Sequence, residues 1–156
     1  WSLTNLVMNV YRIIMERKKL VRERVHNYYW RDDLNCAITT LKILSEYFSV
    51  DIHPQVIQSA AGLHGAGFYG AQCGLVEGGL MFIGIMEAQV SIPNDTIIST
   101  CYNYALRFEA KFGSLLCREL RPEGFHPDNP PHLCENITNE AILFTMDFIK
   151  HMTLSR

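Results

Sequence analysis

The sequence has no CxxC pair, no two histidines at i,i+4, no long segment of period-two alternation and no long apolar run. Each absence excludes something. Without CxxC there is no zinc ribbon, no thioredoxin-type motif and no c-type haem attachment. Without paired histidines there is no HExxH-type zinc site. The longest membrane-like stretch, Gly78 to Met86, is nine residues closed by Glu77 and Glu87, against the roughly 20 of a spanning helix. Net charge is also small: 14 Lys and Arg against 16 Asp and Glu give −2, which argues against a strongly basic nucleic-acid binder. No secretory signal pattern is visible, and the five cysteines are few and odd in number for a disulfide scaffold. The expected setting is therefore cytoplasmic, with reduced thiols, and the Asn136-Ile137-Thr138 sequon is read as coincidence.

What is present is apolar enough to fold. The 156 residues are 48% hydrophobic and 19% charged, which suits a single globular domain over 1–156 with a sizeable core. Apolar residues at helical spacing predict a first helix over 4–26. Asn35 is placed to cap a second through Phe48, and Pro54 to open a short third to Ala61. Gly62 to Gly70 reads as a glycine-rich loop, 72–88 as a buried helix containing glycines, 94–120 as one long helix, and 134–152 as the last. Four prolines make 121–132 irregular. The expected class is all-α, a single-domain bundle of five or six helices.

Several motifs have bland readings. Gly65-Ala66-Gly67-Phe68-Tyr69-Gly70 matches GxGxxG, but a helix precedes it and no β pattern follows, so a tight loop is favoured over a dinucleotide site. The cations Arg12, Arg17, Lys18, Lys19, Arg22 and Arg24 are interrupted by Glu16 and Glu23 and spread over several helix faces, the pattern of a solvated helix.

The cysteines are more informative by position than by spacing. Cys36, Cys73 and Cys134 each fall near a predicted helix start, where free amides and the helix dipole favour the thiolate that binds metal or attacks a disulfide. Cys101 and Cys117 fall on one predicted helix, about 24 Å apart and facing away from each other, so they cannot share a site. One of them is a bystander. The alternative for all five is that buried free cysteines are small hydrophobes.

Asn35-Cys36-Ala37, the glycine loop into Cys73-Gly74-Leu75-Val76-Glu77-Gly78-Gly79, Phe112-Gly113-Ser114-Leu115-Leu116-Cys117 and then Cys134 resemble one family. It is the putative redox-active protein family named for its C…GCAxxG…C…C pattern, and the likeness spans about 33–150. It is also similar to the cysteine-bearing part of split-Soret cytochromes. The sequence departs from the pattern at Gln72 and Leu75. The resemblance implies a small helical protein whose site is Cys36, Cys73, Cys117 and Cys134, with Cys101 the odd one. It implies an iron–sulfur cluster, with zinc or no metal as alternatives, in electron transfer or redox sensing. His64, in the glycine loop, is the reserve ligand. Two other functions stand beside this one: a metal-free thiol–disulfide protein, or a helical interaction module whose cysteines only pack. The redox partner is unspecified, and the apolar first helix raises the expectation of a homodimer.

Overall fold

The computed structural model describes residues 2–155. Among these the chain is all-α: five long helices, three short ones and no strand. They are α1 (Leu3–Trp30), α2 (Cys36–Phe48), α3 (Pro54–Ser59), α4 (Gly65–Phe68), α5 (Gly74–Gln89), α6 (Asn94–Phe112), α7 (Cys117–Leu120) and α8 (Glu135–Leu154). None is long and apolar enough to cross a membrane.

The local signals act where expected at α2 and α3. The Asn35 side chain accepts from the Ile38 N–H at 2.9 Å, satisfying one of the four orphan amides of the α2 start. Pro54 occupies the first turn of α3, where its missing N–H costs nothing. The first helix runs further than its spacing predicts, to Trp30, because Tyr28 and Tyr29 continue the stripe begun by Val21 and Val25 into the core. That stripe packs on α8 and α2, and Arg17 is tied to Asp147 of α8 at 2.7 Å. The apolar residues from Leu3 to Met15 are all exposed.

One expected helix is two. The spacing over 94–120 continues past Phe112, but Gly113 takes φ +92 and caps α6, its N–H bonding to the Glu109 carbonyl. Such left-handed glycine caps end helices. The chain then extends, Ser114 accepts the Leu116 N–H at 3.0 Å, and α7 starts afresh at Cys117. The geometric argument that separated Cys101 from Cys117 on a common helix therefore does not apply. Residues 114–116 instead lie antiparallel to the chain entering α5. Gln72 and Leu116 form an isolated bridge, Cys73 N–H bonds to Leu115 O at 2.8 Å, and Cys117 N–H to Ala71 O at 2.7 Å.

Helix α5 is the centre of the bundle, contacting α2, α6 and α8. Its glycines let α2 close on its backbone: a β-carbon at Gly78 would stand 2.8 Å from both the Ala37 carbonyl oxygen and Thr40 Cβ. Gly84 is different: nothing lies within 4 Å of a β-carbon there, so no packing contact requires a glycine. Replacing Gly78 by Leu is expected to lower stability by roughly 1–3 kcal/mol or more through overpacking. Gly84→Ala should be neutral or raise it by up to about 1 kcal/mol through helix propensity. Chemical denaturation of the two variants checks the pair.

Candidate thiol site

Four of the five cysteines sit at helix N-termini, and the four helices bring those termini to one place. Cys36 is the first residue of α2 and Cys117 the first of α7, while Cys73 and Cys134 are the N-cap residues of α5 and α8. Cys36, Cys117 and Cys134 line a cavity of about 430 Å³, together with Tyr29, His64, Phe68, Arg121 and His132. Cys73 is buried behind it, at 5% exposure, and its sulfur accepts a hydrogen bond from the Cys36 thiol. All five cysteines are free. Cys101 does not line the cavity; its thiol, half-buried on α6, has burial and the carboxylate of Glu87 as its perturbing influences.

Two glycines make the approach of these thiols sterically possible. A β-carbon on Gly74 would collide with the Cys36 sulfur and stand 2.8 Å from the Leu63 carbonyl oxygen. One on Gly65 would stand 2.9 Å from the Cys117 sulfur, and Gly65 also takes φ +68. It opens α4, a single turn whose residues Gly65, Ala66, Gly67 and Phe68 all have positive φ. That left-handed turn carries a cost at the non-glycine positions Ala66 and Phe68. It points His64 and Phe68 at the cavity, their rings edge to face at 4.4 Å.

The electrostatics divide the four thiols. The Cys73 thiol is held below its ordinary range by the hydrogen bond from Cys36 and by the N–H groups of Leu75 and Val76 in the first turn of α5, against burial. Donation to Cys73 and then burial push Cys36 well up. Burial, followed by the nearness of Cys73 and Cys134, pushes Cys117 up to about 11. Burial and Cys73 raise Cys134 despite a hydrogen bond from Arg121. The thiols thus resist one another's ionisation, a cost that a cationic occupant removes.

Arg121 and Tyr29, which the sequence does not mark, and the two histidines near the cysteines complete the lining. Arg121, four residues after Cys117, donates to Cys134, bonds Gly124 O at 2.8 Å through Nε, and lies over the Phe125 ring at 5.0 Å. Tyr29 is buried, hydrogen-bonded to Thr138 at 2.6 Å, and stacked on His132 at 5.0 Å. Burial, with Cys36 next, keeps its phenol protonated far above the usual range. His132 reaches Asp33 at 3.4 Å. The reserve residue His64 faces the same cavity, its Nδ1 3.2 Å from the Asn35 amide. Arg121 is foreshadowed only by its spacing from Cys117, and Tyr29 only by the core stripe of α1.

The donor set suits an iron–sulfur cluster: soft sulfur ligands, on four separate helices, around a cavity. Among the described residues, no three of His, Cys, Asp and Glu are grouped to hold one metal ion.

A family model described as Putative redox-active protein (C_GCAxxG_C_C) matches residues 34–148, most of the chain. The chain belongs to that family. No curated protein and no solved structure matches significantly.

The Gly74 contact is directly testable. Gly74→Ala is expected to drive the Cys36 sulfur away from Cys73, lowering stability by roughly 1–3 kcal/mol. Cys36, released from its hydrogen bond, should react faster with a disulfide reagent, as followed by peptide-resolved labelling.

Proposed function

We propose, from the chain's membership of this redox-active family, that Cys36, Cys73, Cys117 and Cys134 hold an iron–sulfur cluster and that the protein transfers electrons or senses redox state. The observation that carries this reading is the convergence of three cysteine-bearing helix N-termini, those of Cys36, Cys117 and Cys134, on one cavity, with Cys73 buried behind it against Cys36. When bound, such a cluster supplies reversible one-electron chemistry at a potential set by charge, burial and hydrogen bonds to sulfur. The chain's own residues act on each of those quantities. The N–H groups of Leu75 and Val76 point at the Cys73 sulfur and stabilise its anionic form. Arg121 donates to Cys134 and sets a fixed positive charge at the cavity. Tyr29, Leu34, Ile38 and Phe68 supply apolar or uncharged lining that limits water.

A second reading is a metal-free thiol–disulfide protein, favoured by the hydrogen bond between Cys36 and Cys73. In that cycle the Cys73 thiolate attacks a disulfide of a partner, releasing one partner thiolate and leaving a mixed disulfide. Cys36, on losing its proton, then attacks Cys73 and releases the second partner thiol. The two cysteines lose two electrons and the partner disulfide gains them.

Anaerobic purification separates the two. The cluster reading expects visible charge-transfer absorption with bound iron and sulfide, lost in Cys73→Ser and retained in Cys101→Ser. Metal-free wild-type protein that accepts no iron on reconstitution, with a reducible Cys36–Cys73 disulfide, would establish the second reading instead.

A further inference from the structure

The cavity in front of Cys36, Cys117 and Cys134 has a volume of about 430 Å³, inside the range of roughly 300–1,000 Å³ that takes a small organic ligand. Most polar side chains around it already have partners. The Asn35 oxygen accepts from the Ile38 N–H, and its amide nitrogen donates to the carbonyls of Ala60 and Ala61. The Tyr29 hydroxyl is bonded to Thr138. Asp33, the one acid at the rim, is 93% exposed and turned to His132 Nε2 at 3.4 Å. His64 and Arg121 keep N–H groups in reserve.

The proton on His64 can be placed. The cap bond to Ile38 fixes the Asn35 amide, so the atom facing His64 Nδ1 at 3.2 Å is a donor nitrogen. Nδ1 therefore accepts, and the ring proton sits on Nε2. Arg121 uses Nε on the Gly124 carbonyl at 2.8 Å and a further bond on the Cys134 sulfur. A guanidinium has five N–H donors, so others remain. The two groups meet on one aromatic ring. The His64 ring stands edge to face with Phe68 at 4.4 Å, and the Arg121 guanidinium lies 5.9 Å from the Phe68 centroid. Phe68 is itself 60% exposed, at the mouth of the cavity.

The helix fields have the same sign. Helices α2 and α8, of 13 and 20 residues, both begin at this cavity, and helix N-termini favour negative charge. The acid in the first turn of α8, Glu135, is turned to His26 and Trp30 instead.

We infer that the mouth of this cavity binds a small organic carboxylate, with its anionic group on Arg121 and His64 and its apolar body against Phe68, Leu34 and Ile38. This goes beyond the redox reading, since it concerns the side chains in front of the sulfurs and not what the sulfurs hold. The planar fork of an arginine matches a carboxylate. The aromatic and aliphatic lining favours an anion with an apolar body over an inorganic one.

Calorimetric titration of the full chain, purified anaerobically, tests this with three probes. Benzoate carries both the carboxylate and an apolar body, benzyl alcohol the body alone, and inorganic phosphate the charge alone. Benzoate should bind at a single site, at least about tenfold more tightly than either of the others. Arg121→Gln should weaken benzoate at least about tenfold, and Arg121→Lys, which keeps the charge, should weaken it less. His64→Phe keeps a ring beside Phe68 but removes the N–H. It should weaken benzoate and leave benzyl alcohol unchanged. Iron and sulfide content of the same samples reports separately on the cluster reading. Failure of benzoate to bind the wild type overturns the proposal, and so does equal affinity for benzyl alcohol or for phosphate. Benzoate binding that survives both Arg121→Gln and His64→Phe overturns it as well.

Discussion

The contact between α2 and the glycine-bearing start of α5 governs the rest of the molecule. Ala37 and Thr40 rest on the α5 backbone at Gly78, and the Cys36 sulfur lies over Gly74. Any side chain on that face would hold the two helices apart, and with them Cys36 and Cys73. The chain entering α5 is clamped in turn to residues 115–118 by backbone hydrogen bonds from Cys73, Cys117 and Arg118. Through this clamp the third thiol follows the second. Helix α8, packed on α1, α2 and α5, delivers the fourth.

The same packing creates an electrostatic tension. Burial opposes ionisation of every thiol in the group, and each anionic sulfur would oppose its neighbours. The fold counters this with the Cys36 hydrogen bond and the first-turn amides of α5 at Cys73, and with a guanidinium at Cys134. Ionisation is thereby easier at Cys73 than at the other three. The proposed cluster would offset this repulsion with its own positive charge.

Much of this was legible in the residues. Helical spacing predicts the all-α class, Asn35 and Pro54 mark two helix starts, and the cysteine positions near helix starts predict the N-terminal placement of Cys36, Cys73 and Cys134. Cys117 escaped that reasoning because apolar spacing runs through Gly113 and hides a helix end set by one backbone angle. The left-handed turn at Gly65–Phe68 was readable as a glycine loop, but positive φ at Ala66 and Phe68 has no local signature. Tyr29 reaches the cavity through tertiary packing between distant segments, which no spacing rule encodes, and Arg121 is carried there by the short helix that starts at Cys117. The exposure of the first half of α1 was equally hidden, since its apolar pattern is the same as that of a buried helix.

Peptide-resolved alkylation of anaerobic protein, before and after removal of bound iron by a chelator, tests the shared site most directly. The account predicts that Cys36, Cys73, Cys117 and Cys134 gain reactivity together when iron leaves, while Cys101 labels equally in both states. A change at Cys101 in place of one of the four, or four thiols that respond independently, would contradict it.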